Sequence, residues 1–489
     1  MCATAVNAET LATTAPIEPL VPAEFTECFD RQKAAYLADP VPSYEQRVRD
    51  LRAMHSLLKE NKDQLIEAIN ADYGCRSTFE TSFAEVYLNL EGTLDAIKHL
   101  KKWMKPQKRH VDVMQYPLAR ARVIPQPVGV VGVVVPWNFP LSMAFAPLTG
   151  IFAAGNRAMI KMSENSDTLA RLLMSISPKY FPEDKLKFFE DGGGRGPMFT
   201  TLPFDHLFFT GSPNTGKAVM ANCARNLTPV TLELGGKSPA IVAPDFPIKT
   251  ATDRIMWVKL FNAGQICTNV DYLFLPKNRV EEFTSLAREI VRQRYPDMNA
   301  NDYTSVIDQR SYDRLHATLE DARAKGARLI NLAEGQRLDE SKRKFPPHLV
   351  LDATDDMEIL QREIFGPLLP IKTYASKEEV VNYVNARPRP LALYVYSKDK
   401  DLQDYYIQRV MSGGVTVNDG LLHAGLHSLP FGGIGNSGMG HYHGYEGFTT
   451  FSKMRPVFYQ GPIRGIDKMM PPYKGFPTKL MNFMIKMKS

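Results

Sequence analysis

The sequence predicts an α/β protein of two lobes, each a parallel sheet wrapped by helices. Three observations lead there. Short β-type runs alternate with helix-like segments over most of the chain, a pattern that parallel sheets with covering helices produce. The alternation occurs twice, with the segment "LELGGKSP" (232–239) at the join. A chain of 489 residues also exceeds what one small core organises, so two or more packed lobes are expected.

The elements follow in order. "SYEQRVRDLRAMHSLLKENKDQLIEAINADYG" places Val48, Leu51, Leu57, Leu58, Leu65 and Ile69 at helical spacing, and "FAEVYLNLEGTLDAIKHLKKWM" continues in that style. "ARVIPQPVGVVGVVVPW" is β-branched and broken by proline and glycine, which predicts strands joined by a tight turn. Then "RAMIKM", "DHLFFT", "VTLEL" and "PAIVAP" read as strands, separated by helices such as "SDTLARLLMSI" and "GKAVMANCARN". The second set comprises "VDYLFLP", a helix near "RVEEFTSLAREIVRQRY", then "HLVLD", "EEVVNYVNA" and "LALYVYS". "EDGGGRG" (190–196) reads as a flexible loop after a strand, and no internal repeat is found. Residues 1–20 lack a basic start and an unbroken apolar stretch, so they read as a disordered lead-in and not as a secretory signal. No run of about 18 apolar residues predicts a membrane span.

Composition narrows the function classes. Hydrophobic residues make up 44% and charged residues 23%, and the net charge is +6 without a basic block, which argues against nucleic-acid binding. The cysteines, Cys2, Cys28, Cys75, Cys223 and Cys267, are scattered with no CxxC and no Cys/His cluster. A reducing compartment, cytoplasmic, and no metal site are expected.

Four stretches bear chemistry. In "FNAGQICTN", Cys267 is either a buried filler, the commoner role of a lone cysteine, or a nucleophile; Gly264, Thr268 and Asn269 make its surroundings unlike a core. Glu233 interrupts the apolar run Val230–Leu234, so it is either a water-facing acid on an edge strand or a general base in a cleft or with a raised pKa. Asn138 in "VVVPWNFP" is either a turn residue or an amide donor for a developing oxyanion. No GxGxxG is read as a dinucleotide fingerprint that opens a helix after a strand, but "FFTGSPNTGKAVM" puts Gly211, Ser212 and Gly216 between a strand and a helix, suited to a phosphate. Lys161 and Glu164 end another strand, where an acid can accept from ribose hydroxyls. Glu363, Phe365 and Phe431 lie on glycine-rich turns.

Taken together and in this order, "PWNFP", "IKMSE", "FTGS", "LELGGKSP", "NAGQIC", "EIFGP" and "LPFGGIGNSGMGHYHG" resemble the aldehyde dehydrogenase superfamily from about residue 25 onward. "PFDHLFFTGS" and "NLTPVTLELGGKSPAIV" look most like its class 3 branch, and within it the bacterial coniferyl aldehyde dehydrogenase group. The resemblance implies a Rossmann-like NAD-binding domain (21–116 and 136–233), an α/β catalytic domain (234–429), a β-arm for dimerisation (117–135 and 430–455) and a C-terminal tail (456–489). It implies Cys267 as nucleophile, Glu233 as base for thioester hydrolysis, and Asn138 with the Cys267 N–H as oxyanion hole. It assigns Trp137, Lys161, Glu164, Gly211, Ser212, Gly235, Glu363 and Phe365 to the cofactor, NAD, with NADP also admissible; Glu164 favours NAD because its carboxylate would repel a 2′-phosphate.

The implied activity is oxidation of a hydrophobic aldehyde, aromatic or medium-to-long aliphatic, in a homodimer. A CoA-acylating or semialdehyde dehydrogenase, or a silent structural protein on the same fold, are the rivals. The sequence departs from the family pattern at Met162, at Pro213, around the nucleophile in "GQICTNVDY", and in the loop "FFEDGGGRGPMF". The tail "MMPPYKGFPTKLMNFMIKMKS" is a basic amphipathic helix that either touches a membrane or covers a substrate mouth, the second fitting the resemblance better.

Overall fold

A run such as "VVGVV", apolar throughout, is stable only where both faces of its strand are covered. Val130–Val134 is buried at every position. In the computed structural model, which describes residues 21–113 and 115–488, this strand lies inside a six-stranded sheet; the expected lead-in over 1–20, with Cys2, lies outside the described residues. The strand order is Gly438–Met439, Val230–Leu234, His206–Gly211, Val130–Val134, Arg157–Lys161, Leu186–Phe189. All pair in parallel except Gly438–Met439, which is antiparallel at the edge, with Gly438 opposite Glu233. The chain winds outward from Val130–Val134 through two strands and then returns to His206–Gly211 on the other side. At such a reversal a crevice opens beyond the C-terminal strand ends. This is the Rossmann-like sheet that was expected.

The second sheet has seven strands, in the order Arg328–Asn331, His348–Leu351, Leu368–Tyr374, Tyr272–Pro276, Pro239–Val242, Ala392–Tyr396, Gly414–Val417. Only Arg328–Asn331 runs antiparallel to its neighbour. The chain passes from one sheet to the other between Val230–Leu234 and Pro239–Val242, at "LELGGKSP" as read from the sequence. Each sheet carries its own apolar cores.

A third, antiparallel ribbon pairs Arg120–Pro127 with Gln107–Arg109 on one side and Ser452–Tyr459 on the other. Its limits differ from those expected of the arm. Val130–Val134 falls within 117–135 yet belongs to the six-stranded sheet, while 107–109 and 456–459 join the ribbon. The switch occurs at Gly129 (φ 138°), where a Cβ would lie 2.1 Å from Asp205 Oδ2, so the chain leaves the ribbon through a space only glycine fits. The two strands joined by the short turn thus pair in different sheets and not with each other. The tail forms the helix Phe476–Lys488, none of whose residues is buried. Among the described residues no helix is long and apolar enough to cross a membrane.

One buried ion pair orients the segment that carries Asn138. Arg76 Nη1 donates to Glu85 Oε1 at 2.6 Å, and both side chains are fully buried. Glu85 Oε2 accepts the N–H groups of Leu141 (2.7 Å) and Ser142 (3.0 Å), capping the helix Pro140–Ala154 immediately after "PWNF". The guanidinium packs over the rings of Tyr73 and Phe139, 4.8 and 4.9 Å from their centroids. Removing one member leaves the other charge buried and alone, which costs about 3–5 kcal/mol. Arg76→Ala is therefore expected to lose stability on that scale in urea unfolding; a loss below about 1 kcal/mol, the worth of an exposed pair, would contradict a buried one.

Candidate functional site

The backbone before Cys267 is unusual. Asn262 (φ 52°), Ala263 (φ 49°) and Gly264 (φ 78°) are consecutive left-handed residues, a conformation that costs side-chain-bearing residues roughly 1–3 kcal/mol each. Side-chain hydrogen bonds hold it. Glu80 Oε2 accepts the Asn262 N–H at 3.0 Å, and Asn262 Nδ2 donates to the carbonyls of Asn138 (3.2 Å) and Gln265 (3.1 Å). Gln265 Nε2 donates to the carbonyls of Asn262 and Ser305, while its Oε1 accepts the Ile307 N–H. Asn269 Nδ2 closes the turn on the Gly264 carbonyl at 2.6 Å. A Cβ at Gly264 would sit 2.4 Å from the Gly366 carbonyl oxygen, so this glycine is required by space as well as by φ.

Cys267 emerges half-buried from that loop. Burial, with the Glu363 and Glu233 charges adding, pushes its thiol up to about 12, against smaller opposing contributions from the Thr268 and Cys267 backbone N–H groups. The resting group is thus a neutral thiol. Glu233 is buried and neither carboxylate oxygen has a hydrogen-bond partner, so burial raises its pKa well above the usual carboxylate range. The water-facing alternative for Glu233 is excluded. Asn138 is buried with its amide 3.4 Å from the Gln265 carbonyl, a long contact that leaves the donor available. Tyr442 is buried beside them, and burial foremost raises its pKa well above the usual phenol value.

The thiol faces a pocket of about 470 Å³ whose walls include Phe83, Tyr87, Phe139, Met143, Trp257 and Leu426. Phe431 lines it too, paired across the backbone with Tyr442. Such a wall accepts an apolar or aromatic body and penalises an unpaired charge.

A separate cleft of about 940 Å³ opens at the winding reversal of the six-stranded sheet. Trp137, Lys161, Glu164, Gly211 and Ser212 all line it. Ser212 caps the helix Pro213–Ala224 by accepting the Thr215 N–H at 3.2 Å, so that helix presents its N-terminus to the cleft. Pro213, a departure from the family pattern, occupies the first helical turn, where a proline is favoured. The other cofactor candidates gather nearby. Gly235 makes room for Glu363, whose Oε2 would be 2.0 Å from any Cβ there, and the Phe365 ring meets Trp137 edge-on at 5.4 Å. Burial foremost, then Asp271, raises Glu363 to about 8, opposed by the Gly236 N–H, Lys237 and Arg314.

A nucleotide fits these residues. Thr210 Oγ1 in the cleft and Glu363 Oε1 are buried polar atoms without partners, a donor–acceptor and an acceptor that a bound ribose or phosphate would satisfy.

Sequence reasoning missed three groups. Asp191 forms a buried ion pair with Lys161; its only signal was an acid at the head of a glycine run. Lys237 pairs with Asp271 and donates to the carbonyls of Ile359 and Arg362, tying the segment just before "EIFGP" to "LELGGKSP". The pocket walls come from segments hundreds of residues apart and carry no local signal.

The family model described as "Aldehyde dehydrogenase family" matches residues 8–457. The chain is similar to the "Probable coniferyl aldehyde dehydrogenase" of Pseudomonas aeruginosa, 50% identical over 93% of this chain and 94% of the relative. It is 34% identical to "Aldehyde dehydrogenase family 3 member B3" of Mus musculus, over 94% of this chain and 95% of that one. Among solved structures, Mycobacterium tuberculosis aldehyde dehydrogenase complexed with NAD+ superposes with a TM-score of 0.80 at 26% identity, covering 90% of each chain.

Proposed function

The chain belongs to the aldehyde dehydrogenase family, and from that premise we propose that it oxidises a hydrophobic aromatic aldehyde of the coniferyl type to the carboxylic acid with NAD. The observation that carries the substrate class is the aromatic and aliphatic pocket into which the Cys267 thiol faces.

In this reading the Cys267 sulfur bonds to the aldehyde carbon as its proton leaves to solvent, and Glu233 is kept for the later hydrolysis. The carbonyl π electrons move to oxygen, where the Asn138 amide and the Cys267 N–H donate to the new oxyanion. The product is a thiohemiacetal. The dinucleotide, when bound, supplies the acceptor for the hydride. Expulsion of that hydride leaves a thioester on Cys267, and Glu233 then takes a proton from water as the water attacks. The thiolate leaves and the acid is released. Lys161, Glu164 and Ser212 would hold the adenosine and pyrophosphate side, and Glu363, Phe365, Trp137 and Gly235 the nicotinamide side.

A homodimer is part of the proposal, supported by the ribbon's outer strand Ser452–Tyr459, which among the described residues has no strand partner on one side and exposes Phe458 and Tyr459. We place the enzyme in the cytoplasm, as free thiols at Cys28, Cys75, Cys223 and Cys267 suit a reducing compartment. The tail helix is read as a cover for a substrate mouth.

NADH formation at 340 nm tests the reading, with coniferyl aldehyde, benzaldehyde, hexanal, decanal and succinic semialdehyde, each with and without CoA. The aromatic aldehydes are expected to exceed succinic semialdehyde in kcat/KM by at least about 10-fold, because the apolar wall cannot pair a carboxylate. A strict CoA requirement would replace this reading with the acylating one. A preference for the semialdehyde would overturn the substrate class.

A further inference from the structure

The loop "EDGGGRG" departs from the family pattern, and its second residue, Asp191, stands inside the dinucleotide cleft. The charged residues lining the cleft are Lys161 and Arg171 against Glu164, Asp167, Glu190 and Asp191. Both cations are engaged. Lys161 Nζ contacts Asp191 Oδ1, the two side chains being only 6% and 7% exposed. Arg171 lies 3.5 Å from Asp167 and 3.3 Å from Glu190. The other Asp191 oxygen accepts the Gly194 N–H at 2.6 Å, so the loop backbone fixes the carboxylate where it meets Lys161.

A ribose diol and a ribose 2′-phosphate make different demands here. The ammonium of Lys161 has three donors, so it can keep Asp191 and still donate to a hydroxyl. A 2′-phosphate carries a charge of about −1.5 to −2 at neutral pH and needs a free cation. It would meet a surplus of carboxylates instead. The family resemblance assigns this repulsion to Glu164, but Glu164 is exposed and accepts the Ser163 hydroxyl at 3.1 Å. Coulomb repulsion near the protein's effective dielectric is about four times that in bulk water, so the nearly buried Asp191 outweighs the solvated Glu164.

We propose that Asp191 is the specificity-determining residue for the cofactor, reserving Lys161 for a ribose hydroxyl and excluding dinucleotides that bear a 2′-phosphate. This rests on the reading of the cleft as a dinucleotide site. The test is equilibrium binding to the full-length protein without aldehyde, followed by energy transfer from tryptophan to the reduced nicotinamide. For the unmodified protein, Kd for NADPH should be at least about 30-fold weaker than for NADH. Asp191→Asn keeps an acceptor for the Gly194 N–H but drops the charge, and it should lower that ratio by about 10-fold or more. Asp191→Glu should preserve the discrimination, and Glu164→Gln should change it less than Asp191→Asn does. NADPH binding as tight as NADH in the unmodified protein, or an unchanged ratio in Asp191→Asn, would overturn the proposal alone. Failure of both dinucleotides to bind the unmodified protein would overturn the cleft assignment and this proposal with it.

Discussion

Cys267→Ala is expected to reduce aldehyde oxidation by on the order of 10⁴-fold or more, because a covalent route loses its only attacking atom. The expectation is specific to this position among the described cysteines. Cys28, Cys75 and Cys223 are buried, and burial drives the Cys28 and Cys223 thiols up to about 11 with no aldehyde pocket beside them. Cys267 opens on the apolar pocket instead. Nothing in the dinucleotide cleft depends on its sulfur, so NADH should bind the variant with unchanged Kd. Two measurements decide the matter, turnover at 340 nm and dinucleotide affinity. Retained turnover would remove Cys267 from the mechanism, whereas loss of both would indicate a collapsed loop.

Glu233→Gln should separate the two halves of the reaction. Thiohemiacetal formation and hydride departure need the thiol, the oxyanion donors and the dinucleotide; hydrolysis of the thioester needs a base for water. Stopped-flow mixing is therefore expected to give a burst approaching one NADH per active site, followed by a steady state slower by roughly 10²–10⁴-fold. The pH dependence has a definite sign. Burial raises the Glu233 pKa, the acid form predominates below that value, and only the ionised form accepts a proton. The unmodified enzyme should consequently gain steady-state rate as pH rises above the ordinary carboxylate range, and the glutamine variant should lose that limb. An unchanged steady state, or an unchanged pH profile, would assign the base elsewhere.

Much of this was legible in the chain, for identifiable reasons. The alternation of short β-type runs with helix-like segments announced the parallel sheets, whereas "VVGVV", read among strands joined by a tight turn, proved to belong to one of those sheets. Glu233 was conspicuous because an acid within such a run has to be explained, and its unpartnered oxygens explain it. Cys267 stood out through polar and glycine neighbours, although the left-handed run was not foreseeable at Ala263, a residue that usually avoids it. The ribbon's boundary was not legible, since Arg120–Pro127 and Val130–Val134 are equally β-branched and composition does not say which sheet a strand joins. Asp191 stayed hidden because a glycine-rich loop has no periodicity to place a side chain. The pocket walls required Phe83, Trp257 and Leu426 to converge, which only the tertiary fold brings about.

The pairing of Gly438–Met439 with Val230–Leu234 also has a consequence in time. Leu234 receives its sheet neighbour, and the edge beside Glu233 is closed, by residues more than 200 positions downstream. During synthesis the strand bearing this acid therefore waits as an open edge, available to any other extended segment, until Gly438–Met439 has been made. The order of translation makes the second lobe and its return strand the last parts needed to finish the first.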